Sequence, residues 1–275
     1  MRGPRSLVPE ARRWIAMAGV LAAVLFLGLP LLGLIARAPW SSIRTLLASE
    51  ELTTSLRLSI VTSLSATVLA ALLGLPLAWA LTRLRNGLLR RGLLALALLP
   101  MVLPPVVGGV ALLLAFGRRG ILGRTLESWF GLSLAFSTAG AVMAATFVAL
   151  PFFVLAAQAG LRAVDAQYVE AGRVLGLTGA GSFARVTLPL ARPALAAGAV
   201  VAWARALGEF GATVTFAGSL PGRTRTLPLA VYLALDSRPE AAIALSIVLL
   251  GVSLVVLVLL RDRWFAAPGG ARPSP

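Results

Sequence analysis

The chain has 275 residues, of which 59% are hydrophobic and only 13% charged, and its formal net charge is +15. Ordinary globular domains carry about 45–50% apolar and about 25% charged residues. A globule of this length has too little interior for so much apolar side chain, so composition excludes a soluble protein and sets much of the surface against lipid. The absence of Cys and His excludes disulfides, Cys or His metal sites, thiol nucleophiles and a Ser-His-Asp triad. Lys is missing too, so all 25 basic residues are Arg. That excludes a Walker A loop, whose Lys reaches the nucleotide phosphates. In a soluble chain, 25 basic against 10 acidic residues would suggest nucleic acid. Here the Arg stand in short clusters between apolar runs, as in membrane-protein loops, and no nucleic-acid partner is expected.

A helix needs about 20 apolar residues to cross a bilayer. The sequence predicts six transmembrane helices, over 14–35, 56–81, 93–116, 139–160, 193–216 and 241–260. The first follows Arg12-Arg13 in the manner of a twin-arginine signal. Its apolar run exceeds the roughly 7–15 residues of a signal core, so it is read as a span. The expected fold class is an all-α integral membrane protein. Its one six-helix domain, 14–260, is flanked by an N-terminal segment 1–13 and a tail 261–275. No internal repeat and no second soluble domain are visible.

With the N-terminus inside, fifteen Arg fall in inner segments and eight in outer loops, while Arg57 and Arg205 lie within spans. The excess favours N- and C-termini both in the cytoplasm. Segment 83–91 is a short basic connector. Segment 117–137 contains Trp129 and Phe130 and is expected to rest on the outer interface. The one long inner loop is 162–192.

Two features inside the spans stand out. Arg205 lies about 18 Å into the fifth span at 1.5 Å per residue, with Glu209 one turn further on. A charge at the bilayer centre costs about 2.5–3.5 kcal/mol even on lenient scales, so neither side chain should face lipid. The i to i+4 spacing lets them pair. The pair fits a translocation path, where Arg205 meets an anion and Glu209 keeps it from binding too tightly. It also fits a structural pair that locks the fifth span to a neighbour. In the third span, Pro100, Pro104 and Pro105 free backbone carbonyls that must meet protein or a water-lined cavity. Pro104 and Pro105 are therefore candidate walls of the same path, or a bend that serves packing alone.

The inner loop carries a motif. Asp165 can cap a short helix, because its carboxylate accepts free N–H groups of the first turn. Gly176 suits the stop, since glycine adopts the left-handed conformation without penalty. Ala166, Ala171 and Gly172 leave room for another surface to approach. Residues 178–182 read as a tight turn, and not as a nucleotide loop, because no strand precedes them. Glu170-Ala171-Gly172 is followed after three residues by Gly176, and after nine more by Val186, Thr187 and Leu188-Pro189. This resembles the inner loop of ABC-transporter importer permeases, whose pattern is Glu-Ala-Ala, three residues, Gly, nine residues, Ile, one residue, Leu-Pro. Gly172 and Val186 are the departures. An interfacial amphipathic helix with accidental spacing is the alternative.

A second resemblance narrows the group. The stretch 204–213, with Gly208-Glu209-Phe210-Gly211, then Phe216-Ala217-Gly218, Pro221-Gly222-Arg223-Thr224 and 226–232, is similar to molybdate permeases. So is 99–105 followed by Gly117-Arg118-Arg119-Gly120. Sulfate permeases usually have Gly-Glu-Tyr-Gly at the first place. The resemblance covers roughly residues 50 to 260.

It implies a type I-like ABC importer permease fold. The subunit would carry molybdate, with tungstate as co-substrate, across the bacterial inner membrane. It implies a homodimer of this chain, two cytoplasmic ATPase subunits and an oxyanion-binding protein outside. A coupling helix would meet the ATPase through Glu170, Ala171, Gly172, Gly176, Leu188 and Pro189. Mg-ATP would sit on the partner ATPase, leaving this chain with no cofactor, metal or catalytic residue. Some members carry a C-terminal regulatory domain that binds the oxyanion; this chain is expected to lack it. A sulfate or thiosulfate importer and a passive anion channel are the alternatives. A membrane enzyme is disfavoured by the missing His, Cys and paired intramembrane carboxylates.

Overall fold

The computed structural model describes residues 8–264, and the described regular elements are all helical. Thirteen α-helices follow one another, joined at one place by a π-turn. In order they are α1 (Val8–Ala36), α2 (Ile43–Leu47), α3 (Glu50–Arg83), α4 (Gly87–Val102), α5 (Pro105–Phe116), α6 (Gly123–Phe130) and α7 (Thr138–Arg162). Then come α8 (Ala166–Val174), α9 (Gly179–Ser182), the π-turn (Phe183–Thr187), α10 (Leu188–Leu207), α11 (Gly211–Phe216), α12 (Leu227–Ser237) and α13 (Pro239–Trp264). The expected flanking segments 1–13 and 261–275 lie partly outside the described residues.

Five stretches are long and apolar enough to cross a membrane: α1, α3, α7, α9 through α10, and α13. The expected third span, 93–116, is not one rod. It is the pair α4 and α5, bent by 117°. Pro104 and Pro105 supply no backbone N–H, and their rings clash with a preceding helical turn. Leu103, ahead of them, is extended at φ −65° and ψ 136°, as a residue before proline must be.

The expected fifth span, 193–216, is also corrected. α10 begins at Leu188 and stops at Leu207, and after a break through Gly208 and Phe210 the short α11 takes over. Each expected loop outside the spans hides a helix. α6 falls in 117–138, and the apolar α12 falls in 217–239. α12 was missed because its 11 residues fall short of the roughly 20 needed for a span.

The core is a three-helix seam of small residues. Ala66, Ala70 and Ala78 of α3, Ala145, Ala149 and Ala157 of α7, and Ala191, Ala202 and Ala206 of α10 are buried in one cluster. Side chains this short let helix backbones approach closely, which is how helices associate where lipid is as apolar as Leu. Gly74 of α3 lies against Leu150, Phe153 and Val154 of α7, whereas Gly198 of α10 faces Ala156 and Gly160 faces Ala194. α10 therefore runs antiparallel to α7. It is antiparallel to α3 as well, because Trp203 reaches Ser63 while Phe183 reaches Trp79. Hence α3 and α7 are parallel.

A side chain at Gly160 would collide with the Ala194 methyl. Gly160→Leu is expected to destabilise the chain by about 1–3 kcal/mol or more through overpacking. Accumulation in membranes and thermal aggregation in detergent should both reveal it.

α12 and α13 form a second cluster with Leu52, and α5, α7 and α11 a third. At the end of α3 remote from Arg83, Glu51 pairs with Arg225 at 3.5 Å and Arg238 at 2.7 Å. These contacts tie the loop before α12 and the α12–α13 junction to the start of α3. α1 stands apart, with none of its apolar span buried in this chain.

Candidate functional site

The motif loop 162–192 folds much as its residues dictate. Asp165 Oδ1 accepts the Gln167 backbone N–H at 3.0 Å and opens α8. α8 closes on Gly176, whose φ is +84°. The Gly176 N–H donates to Arg173 O at 2.9 Å, and the Leu177 N–H to Gly172 O at 3.0 Å. Those two bonds make a Schellman end, which satisfies carbonyls that a helix terminus otherwise leaves open.

Glu170 and Ala171 are exposed on α8, and beyond them Val174 and Leu175 are 87% and 83% exposed. Gly172 departs from expectation. It is buried, and a Cβ there would meet Leu177 and Val186, each at 3.3 Å. Its smallness serves the chain's own packing rather than an incoming surface. The expected tight turn over 178–182 is instead α9, capped by Thr178 Oγ1 accepting the Gly181 N–H. The π-turn then leads into Leu188 and Pro189, both half-buried in the first turn of α10. The motif's two halves thus meet through Gly172 and Val186.

The other candidates gather at the end of α10 and the break that follows it. Glu209 Oε2 accepts Arg205 Nη2 at 2.8 Å, with side-chain exposures of 2% and 28%. Its Oε1 accepts the Ala212 N–H at 2.8 Å, also buried. Glu209 therefore does two jobs: it neutralises Arg205 and it holds the first turn of α11 after the break. A Cβ on Gly211 would stand 2.7 Å from Pro105 Cβ, and one on Gly109 would stand 2.6 Å from Thr215 Cβ. Only glycine allows α5 and α11 this approach. The structure consequently gathers Arg205, Glu209 and Pro105, with Pro104 beside it, where two broken helices touch.

Depth follows from the neighbours. Trp203 Nε1 donates to Ser63 Oγ at 2.9 Å, and Ser63 lies about 30 Å along α3 from Arg83. Phe210 also packs against Tyr232 of α12, with ring centroids 4.9 Å apart and planes tilted by 53°. The sequence shows Gly109 just beyond the proline break and Gly211 within a motif, but not that they face each other's helices, and the Ser63–Trp203 bond joins residues 140 apart.

Broken helices meeting beside a partly exposed intramembrane charge are a transporter arrangement. The comparisons agree. Residues 70–267 match the family described as binding-protein-dependent transport system inner membrane component. Molybdenum transport system permease protein ModB of Mycobacterium tuberculosis is 47% identical over 246 residues, covering 90% of this chain and 92% of the relative. The protein of that name from Escherichia coli is 41% identical over 162 residues, covering 59% of this chain and 71% of the relative. Among solved structures, a chain of a bacterial ABC transporter involved in import of the acidic polysaccharide alginate superposes with a TM-score of 0.74 at 18% identity, covering 94% of this chain and 98% of that one. At that identity the likeness speaks for the fold.

By its family and its relatives the chain is a multi-pass permease subunit of an ABC importer, a transport component rather than an enzyme. It belongs to the family of binding-protein-dependent transport system inner membrane components.

Proposed function

We propose that the chain is the membrane subunit of an ATP-driven importer of molybdate, with tungstate as co-substrate, in the bacterial inner membrane. The observation that carries the pathway is the Arg205 guanidinium. It is 28% exposed in this chain and paired to a buried carboxylate, in the last turn of α10 beside the break. A guanidinium so placed opens onto a watered path or a second copy, and a homodimer with the path along its interface provides both. Likeness to molybdenum permeases over 90% of the chain supports the identity of the anion.

Two ATPase subunits complete the assembly inside and an oxyanion-binding protein outside. Glu170, Ala171 and the exposed apolar end of α8 meet the ATPase, while Gly176, Leu188 and Pro189 fix how α8 is presented. Mg-ATP binds the ATPase and closes the pair. The α8 loops move, and the path changes the side to which it opens. Arg205 offers a transient counter-charge, already half-satisfied by Glu209 so that the anion leaves again. Pro104 and Pro105 hold the α4–α5 bend that shapes the wall. Uptake of labelled molybdate by vesicles containing the assembled complex, with ATP and loaded binding protein, tests this reading. Flux without ATP, or sulfate preferred over molybdate, overturns it.

The orientation has its own test. Both termini and 162–192 lie inside, and 117–138 with 217–239 outside. Ser182 is wholly buried and would be silent to a probe on either side, so Ala180 and Ser128, both exposed, are the better positions. In intact cells an impermeant thiol reagent should label Ser128→Cys and spare Ala180→Cys until the membrane is opened. The reverse pattern would invert the topology.

A further inference from the structure

We propose that Phe183 is a positioning residue for transport, held by Trp79 and Arg83 of α3 so that displacement of the α8 loop reaches α3 and α10 together. The proposal rests on the importer reading above. Its starting point is a contact that neither the motif nor the charge pair uses. The Phe183 ring lies 4.8 Å from the Trp79 ring, tilted by 40°, a separation at which aromatic pairs attract beyond their buried area. Arg83 sits over the Trp79 ring, its Cζ 5.2 Å from the centroid. A Cβ on Gly179 would be 3.9 Å from Arg83 Nη1, so the start of α9 abuts the same group. The end of α3 thus grips both sides of the segment that joins α8 to α10.

That segment is the least regular part of the path. Phe183 opens the π-turn, and such turns concentrate at functional joints. Ser182, just before it, is fully buried and its Oγ has no hydrogen-bond partner. A buried hydroxyl without a partner costs free energy, so the joint carries that cost in this conformation. Movement of α8 enters the joint through Gly172 and Val186. From there α10 is driven by chain continuity, and Phe183 adds a grip on α3 at the joint itself, beyond the seam that α3 and α10 share further along. Without the ring, the joint end of α10 would move without carrying the end of α3, and ATP would be spent without turning the path.

The test compares ATP hydrolysis with uptake in one preparation. Wild type, Phe183→Ala, Phe183→Leu and Trp79→Phe are each assembled with the ATPase subunits in vesicles and supplied with molybdate-loaded binding protein. Leu keeps most of the volume and removes the ring, so it decides the matter if Ala fails to accumulate. The expected result is hydrolysis close to wild type with uptake lower by about tenfold for Phe183→Leu. Trp79→Phe, which preserves an aromatic pair, should keep the wild-type ratio of ATP hydrolysed to anion moved. A ratio unchanged in Phe183→Leu, whether both rates fall together or neither does, overturns the proposal. Absence of ATP-driven uptake in wild type would instead strike the importer reading.

Discussion

Arg205→Ala should lower both the amount of assembled protein and its rate of anion uptake, and the two losses should separate in a neutral pair of substitutions. In the single variant, Glu209 keeps only the Ala212 N–H of its two partners. Breaking a buried pair by removing one partner costs about 3–5 kcal/mol, because the remaining charge stays buried and uncompensated. Either Glu209 takes up a proton or the α10–α11 break rearranges.

Replacing both residues by Ala would not isolate the charge, since it also removes the acceptor that holds α11. Arg205→Met with Glu209→Gln keeps the volume and the acceptor while discarding both charges. This double variant is expected to accumulate like wild type and to transport about tenfold or more slowly, the size of a lost interaction made only during passage. Uptake per assembled complex is the measurement. Wild-type rates in the double variant would leave Arg205 a purely structural residue.

Gly176→Pro should leave the protein in the membrane and separate it from its ATPase. Proline holds φ near −65°, whereas Gly176 needs +84°. It also lacks the N–H that binds Arg173 O. Both halves of the Schellman end are lost, and substitutions that conflict with backbone in this way cost more than about 1 kcal/mol. The damage is local, because the C-terminal residues of α8 are exposed and α8 lies outside the three-helix seam. Copurification of the ATPase should drop by about tenfold or more, and uptake with it, since α8 would no longer present Glu170 in one orientation. Gly176→Ala, strained by about 1–2 kcal/mol, should show a weaker version. Wild-type copurification and uptake in Gly176→Pro would dissociate this loop from the ATPase.

The sequence displayed its apolar runs openly, and five of the six became rods or the main part of one. What it concealed were breaks. Pro104-Pro105 was legible as a kink, but its size depended on α5 finding a place against α11, which Gly109 and Gly211 permit. The end of α10 was hidden because Ala206 and Leu207 before the break and Phe210, Ala212, Val214 and Phe216 after it keep the run apolar despite Glu209, so hydropathy runs through a point where the backbone turns. The ends of α8 were readable from Asp165 and Gly176, since caps are local chemistry. The partner of Gly172 was not, because Val186 comes from a later turn. The Arg205–Glu209 pair followed from spacing alone. The second role of Glu209, holding Ala212, needed the break to be known first.

α10 has one mechanical consequence. It extends from Leu188 to Leu207, about 30 Å, with the π-turn at one end and the Arg205–Glu209 pair at the other. A tilt of about 5° at the π-turn would carry the far end through about 2.6 Å by simple leverage over that length. Each bond that Glu209 makes is 2.8 Å long. A small angular error at the fulcrum therefore equals a whole hydrogen bond at the tip, and the rod needs no internal rearrangement to produce it.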